Sequence, residues 1–162
     1  MAEVQPEIER LVPHRGAALF LDRILAWDPG SIECVGHIPP DNACVSDGFA
    51  ASFSGLELAA QAAAALEALL RRRSGLATWP LIGYLVSVKE ARFQVARLPA
   101  GAELETRVLR VGSAPPLATY EIRVLRTGVE CVFAILSIYA APVPSKPSAE
   151  GIMKGVGSLG DP

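Results

Sequence analysis

Glu57, followed one helical turn later by Gln61, and the two histidines, His14 and His37, are the residues whose chemistry stands out in this chain. Carboxyl and imidazole groups are the side chains best suited to move protons near neutral pH. Glu57 begins an Ala- and Leu-rich run, and a carboxyl group entering an apolar pocket there would have its pKa raised by desolvation, with the helix dipole opposing. Poised nearer neutrality, Glu57 is the candidate acid and His14 the candidate base. The same residues also support a plainer reading. Ser54-Gly55-Leu56-Glu57 fits a capping box, in which serine and glutamate satisfy first-turn amides and do no chemistry. Gln61 shares a face with Glu57, so it could orient the carboxylate, line a pocket or hydrogen-bond a strand. Gly55 and Leu56 fall in the first turn, where unsatisfied amides can hold an oxyanion. His14 could equally pack where the N-terminal segment meets the first strand. His37 lies beside Val35 and Ile38 and reads as structural, as do Asp22 and Arg23.

These residues need a scaffold, and its central piece is the run from Gly55 to Arg73. Ala and Leu are strong helix formers, and Arg71-Arg72-Arg73 before Ser74-Gly75 suits a helix C-terminus. The arginine run reads as a solvated helix end. Nearly every face of the first three turns is apolar or small, so this helix is expected to be buried on most sides. A strand from Ala17 to Trp27, a turn at Asp28-Pro29-Gly30-Ser31 and a return from Ile32 to Ile38 form a predicted hairpin before it. Glu3 to Val12 reads as a short helix stopped by Pro13, and Pro39 to Ser54 reads as a loop. After the helix come four strand-like runs: Ile82 to Ala96, Glu103 to Val111, Ala118 to Arg126 and Glu130 to Ala141. The order of hairpin, buried helix and meander predicts one α+β domain over 1–141, with a curved antiparallel sheet of five to six strands around the helix; the alternative is an open α+β layer with the helix on one face only, against which the apolar circumference of the helix argues. The Pro-, Ser- and Gly-rich 142–162 is expected to be a flexible tail. The edge of such a sheet invites a second copy.

A chain of 162 residues suits a single domain, and half of it is apolar. A net charge of −2 provides no general attraction to nucleic acid or anionic lipid. The three cysteines, Cys34, Cys44 and Cys131, lack zinc-site spacing and read as buried free thiols of a reducing cytoplasm. No metal or cofactor motif appears, and the longest apolar stretch is too short to span a bilayer.

Three stretches carry a resemblance to a known family. Leu11-Val12-Pro13-His14-Arg15 with Leu19-Phe20-Leu21-Asp22-Arg23-Ile24-Leu25 resembles the opening of the 3-hydroxyacyl-carrier-protein dehydratases. Glu57-Leu58-Ala59-Ala60-Gln61 is similar to the family's central-helix motif, in which the glutamate is catalytic, and Gly83 to Arg92 looks like the strand that follows. The resemblance runs from Leu11 to Ala141 and implies a hotdog fold. One departure stands out. The family's loop before the helix carries a catalytic histidine in a Gly-His-Phe-Pro segment, whereas Cys44 to Phe53 contains no histidine. Gly36-His37-Ile38-Pro39 mimics that segment too early in the chain. The divergent dehydratase-like branch associated with aryl polyene synthesis is the nearest pattern.

The resemblance implies a cytoplasmic dimer, homotypic or mixed, that acts on acyl thioesters of an acyl carrier protein in fatty acid or polyene-type biosynthesis. Glu57 would then face the thioester pocket, and His14 would remove the proton next to the thioester carbonyl. Two alternatives remain open: a catalytically silent subunit that pairs with an active dehydratase, and a thioesterase in which Glu57 activates water.

Overall fold

The structure is a computed structural model and describes residues 7–76 and 82–141. The described residues begin with a 3-10 turn at Ile8–Arg10; the helix expected over Glu3 to Val12 is only this turn between Glu7 and Val12, and its first part lies outside the described residues. β1 (Leu21–Asp28) and β2 (Ser31–Gly36) form the predicted hairpin. Its turn is held by Asp28, whose Oδ1 accepts from the amides of Gly30 (2.6 Å) and Ser31 (2.9 Å). These donors hold the Asp28 carboxyl below the usual carboxylate range, the Gly30 amide most strongly.

The first strand starts later than the sequence suggests. Gly16–Ala18 forms a second 3-10 turn, and Gly16 adopts φ +55°, a left-handed conformation that glycine tolerates without strain. The expected loop before the helix also contains structure. β3 (Val45–Ser46) and β4 (Phe49–Ala51) pair across Asp47 and Gly48, whose φ values of 54° and 77° are those of a tight two-residue hairpin.

α1 spans Ser54–Arg73. β5 (Ile82–Phe93) follows, then the short β6 (Arg97–Pro99), which pairs with β4, then β7 (Leu104–Ala114), β8 (Leu117–Arg126) and β9 (Val129–Ala141). The strand expected over Ile82 to Ala96 thus ends at Phe93, past register irregularities between Leu85 and Ser87 and between Lys89 and Arg92. The main sheet has six antiparallel strands in the order β1-β2-β7-β8-β9-β5. It curves around α1, the α+β arrangement expected of a hotdog domain.

Alternation decides which face meets the helix. Along β8, Tyr120, Ile122 and Val124 are buried, while Glu121 and Arg123 point outward, where Arg123 pairs with Glu121 (2.9 Å) and Glu130 (2.6 Å). Leu58, Ala62, Leu66 and Leu69 of α1 fill the concave side with Leu98, Leu104, Ile122 and Leu136. Gly36 must be glycine for this packing, because a Cβ there would overlap the Phe20 carbonyl and press on Leu58.

β5 is the exception to this burial. It lies at the sheet edge, and Tyr84, Leu85, Val86, Val88 and Phe93 are all exposed. Two of the cysteines are buried as expected, and burial pushes the Cys34 thiol up to about 12. Cys44 is instead exposed, because it lies on the loop leading to β3, away from the core. The expected C-terminal tail, 142–162, lies outside the described residues.

Candidate active site

The start of α1, the Pro13–Phe20 segment and the edge strand meet around one cavity of about 710 Å³. Glu57 and Gln61 enter it from the helix, His14 from the N-terminal segment, Asn42 and Cys44 from the loop, and Tyr84 and Leu85 from β5. The structure therefore brings together the two candidate proton-transfer groups, which lie 43 residues apart in sequence. His14 Nε2 lies 3.2 Å from Glu57 Oε1, with side chains 32% and 46% exposed.

Gln61 holds this arrangement in place. It is almost fully buried at 1% exposure; its Oε1 accepts from the Phe20 amide (2.9 Å), and its Nε2 donates to the Ala18 carbonyl (2.8 Å) and to Glu57 Oε1 (2.9 Å). The side-chain amide thus satisfies backbone groups that a longer first strand would have paired, which is why β1 starts only at Leu21. Of the roles foreseen for Gln61, lining the cavity and the contact with Glu57 are present, while its backbone partners, Ala18 and Phe20, precede β1 and belong to no strand.

The capping-box reading fails. Ser54 is already helical and Phe53 precedes it in the αR region without a side-chain cap bond, so the Ser54 hydroxyl has moved inside the helix and is buried without a partner. Glu57 is therefore available to the cavity. The expected pKa shift is also reversed. The hydrogen bond from His14 outweighs desolvation and, with help from Gln61, holds the Glu57 carboxyl below its usual range. Glu57 is thus an ionised acceptor rather than a poised acid.

The suggestion that first-turn amides form an oxyanion site is not supported at Gly55 and Leu56. Their amides donate to the Ser52 (3.0 Å) and Phe53 (2.9 Å) carbonyls. Gly55 faces the sheet, where an added Cβ would lie 3.1 Å from Val132, so it is a packing residue outside the cavity. Leu56 does line the cavity. His37 stays out of it, as expected, with Nδ1 2.8 Å from Asp22 Oδ2, while Arg23 reaches Glu103 at 3.3 Å.

Two positioning residues were not evident from sequence. Arg15 donates to the carbonyls of Val12 (2.8 Å), His14 (2.6 Å) and Glu9 (2.7 Å), which clamps the segment carrying His14. Asn42 donates to the Ala17 carbonyl (2.7 Å) and accepts from the Cys44 amide (2.9 Å), joining the loop to the same segment. Their only sequence signal was position, beside the histidine and inside a loop. No cluster of three or more His, Cys, Asp or Glu side chains that could hold a metal ion occurs among the described residues.

Comparison with known proteins agrees with this architecture. The family model for ApeP-like proteins, described as ApeP dehydratase, matches residues 6–149. The chain belongs to the ApeP-like dehydratase family. Among solved structures, the chain is similar to the dehydratase heterocomplex ApeI:P from Xenorhabdus doucetiae, with a TM-score of 0.75 and 19% identity over 83% of this chain and 91% of that one. It is also similar to a mutant of thioesterase PA1618 from Pseudomonas aeruginosa (TM-score 0.53, 16% identity, 75% of this chain and 81% of that one). A mutant of the phenylacetic acid degradation protein PaaI from Thermus thermophilus matches at TM-score 0.53 and 24% identity, over 75% and 94% of the two chains. At these identities the likenesses establish the hotdog fold alone. No curated protein matches the sequence. Among the described residues of this ApeP-like protein, no helix is long and apolar enough to cross a membrane.

Proposed function

We propose that this ApeP-like protein eliminates water from 3-hydroxyacyl thioesters carried by an acyl carrier protein, in fatty acid or polyene-type biosynthesis, as one half of a hotdog dimer. The observation that carries the reading is the His14–Glu57 contact at 3.2 Å on the wall of an acyl-sized cavity. With Glu57 held in its ionised form, the roles first expected are exchanged. In the ion-paired form, Glu57 takes the proton from the carbon next to the thioester carbonyl. That electron pair forms the double bond, the C–O bond at the next carbon breaks, and the hydroxyl leaves as water with the proton from His14 Nε2. The hydrogen bond between the two side chains returns the proton to His14 and restores the pair. Proton transfer by positioned groups of this kind contributes about 10²- to 10⁴-fold to rate.

The exposed apolar edge of β5 supports the dimer, because the unpaired outer edge of such a strand is a template for another chain. Tyr84 and Leu85 belong both to that edge and to the cavity wall, so a partner paired there would close the site. The buried free thiols suit a cytoplasmic protein.

A second reading has its own support. The loop that lines the cavity contributes Asn42, Cys44 and Phe53 but no imidazole, which favours a subunit that supports the active site of a histidine-bearing hotdog partner. One assay separates the possibilities: 3-hydroxyacyl carrier protein is incubated with this chain alone and with such a partner, and both unsaturated product and free thiol are followed. Unsaturated product from the chain alone, lost in Glu57→Gln, is the expected result. Product only from the mixed dimer would favour the supporting subunit, and free thiol without unsaturated product would favour hydrolysis. Unchanged turnover in Glu57→Gln would overturn the mechanism.

A further inference from the structure

Removal of a proton from the carbon next to a thioester carbonyl shifts negative charge onto the carbonyl oxygen, and a donor placed at that oxygen lowers the barrier. Most donors around Glu57 are already committed. The Gly55 and Leu56 amides donate to the Ser52 and Phe53 carbonyls, both protons of Gln61 Nε2 are taken by Ala18 and Glu57, and His14 Nε2 faces Glu57. Of the remaining polar residues in the cavity wall, Asn42 is tied to Ala17 and Cys44, Cys44 itself offers only a weak thiol donor, and Tyr84 stands on the exposed edge of β5.

Ser54 is uncommitted. It belongs to the cavity wall and is only 5% exposed, and its hydroxyl is buried without a hydrogen-bond partner among the described residues. A serine within a helix ordinarily bonds back to a carbonyl of the preceding turn, and no such bond forms here. Alanine would fill the same space without the penalty of an unpaired hydroxyl, so the residue is poorly explained by packing. Ser54, Glu57 and Gln61 follow one another at three- and four-residue spacing and share one face of α1, with Ser54 about 4.5 Å before Glu57 along the axis. One χ1 torsion moves the hydroxyl between its three staggered positions, so it can turn toward a guest in the cavity without movement of the backbone.

We propose that Ser54 is a further catalytic residue, whose hydroxyl donates to the thioester carbonyl oxygen and holds the charge that develops there while Glu57 takes the neighbouring proton. The serine keeps its own proton, and no bond to it forms or breaks. A side chain thereby supplies what the committed amides of Gly55 and Leu56 do not. This inference rests on the reading of Glu57 as the base of an acyl-thioester site.

The test follows deuterium uptake at the carbon next to the carbonyl of hexanoyl pantetheine in deuterium oxide, with the full chain as catalyst. This thioester has no hydroxyl to lose, so uptake reports proton removal alone. Ser54→Ala should lower the maximal rate of uptake about 10²- to 10³-fold, the loss when one such donor is removed, and leave KM nearly unchanged because the charge develops only in the transition state. Its urea midpoint should equal or exceed that of wild type, since an unpaired buried hydroxyl is lost. Ser54→Cys, which keeps a weak donor, should give an intermediate rate. A wild-type rate in Ser54→Ala, with Glu57→Gln inactive, overturns the inference and leaves Glu57 standing. A raised KM with an unchanged maximal rate overturns it in favour of simple substrate contact, and a lowered urea midpoint overturns it in favour of a structural serine. Equal uptake by wild type and Glu57→Gln, or none by either, refutes the reading of Glu57 and the inference with it.

Discussion

Replacing Gln61 with methionine keeps the length and lack of branching of the side chain while removing all three of its hydrogen bonds. The amide of the buried Phe20 then loses its Gln61 acceptor, which costs about 1–3 kcal/mol. The Ala18 carbonyl belongs to an exposed residue and can be rehydrated, so its loss adds little. Burying a thioether in place of an amide offsets part of the penalty, because the amide itself was desolvated on folding. The net destabilisation is about 2 kcal/mol, or roughly 4–8 °C in Tm for a chain of this size. Urea titration of wild type and variant, compared at equal m-value, measures it. Gln61→Glu supplies the internal check. It keeps an acceptor for the Phe20 amide but sets a second carboxylate against Glu57, so its destabilisation should be larger at neutral pH and shrink in acid. A Gln61→Met penalty below about 0.5 kcal/mol, within the range of ordinary surface changes, would refute the claim that this amide holds the site together.

Three further outcomes follow from the same geometry. Folding favours the ionised form of Glu57, so its contribution to stability is complete above the unfolded-chain value of 4.5 and is lost as pH falls through the lower folded value. Melting curves should place Glu57→Gln below wild type at about pH 6, with the gap closing in acid; a gap that widens in acid would contradict the depressed pKa. Gly36→Ala forces a Cβ against the Phe20 carbonyl and Leu58, and should cost about 1–3 kcal/mol or more by urea unfolding. Thiol labelling of the native protein should modify Cys44 rapidly and Cys34 and Cys131 only after denaturation; rapid native labelling of Cys34 would contradict its burial and raised pKa.

The long helix was legible because alanine and leucine favour it wherever they occur and because its apolar circumference demanded burial on most sides. The β8 strand was equally plain from alternation. By contrast, the β3–β4 hairpin is too short for any periodicity, although Asp47-Gly48 carried the turn signal. The delayed start of β1 had no local signal at all, since it depends on an amide 41 residues away.

Local composition and order were enough to determine one helix, its enclosing antiparallel sheet and the pairing of the early hairpin, because propensity and period act between near neighbours. The family motif also pointed to Glu57 and His14 before any contact was known. Tertiary structure alone decided that Ser54 lies within the helix and leaves Glu57 uncapped, that Gly55 serves packing, and that His14 reverses the shift of the carboxyl group. Each depends on which distant groups come within a few ångströms, where hydrogen bonding and desolvation compete, and residue types along the chain do not specify those distances.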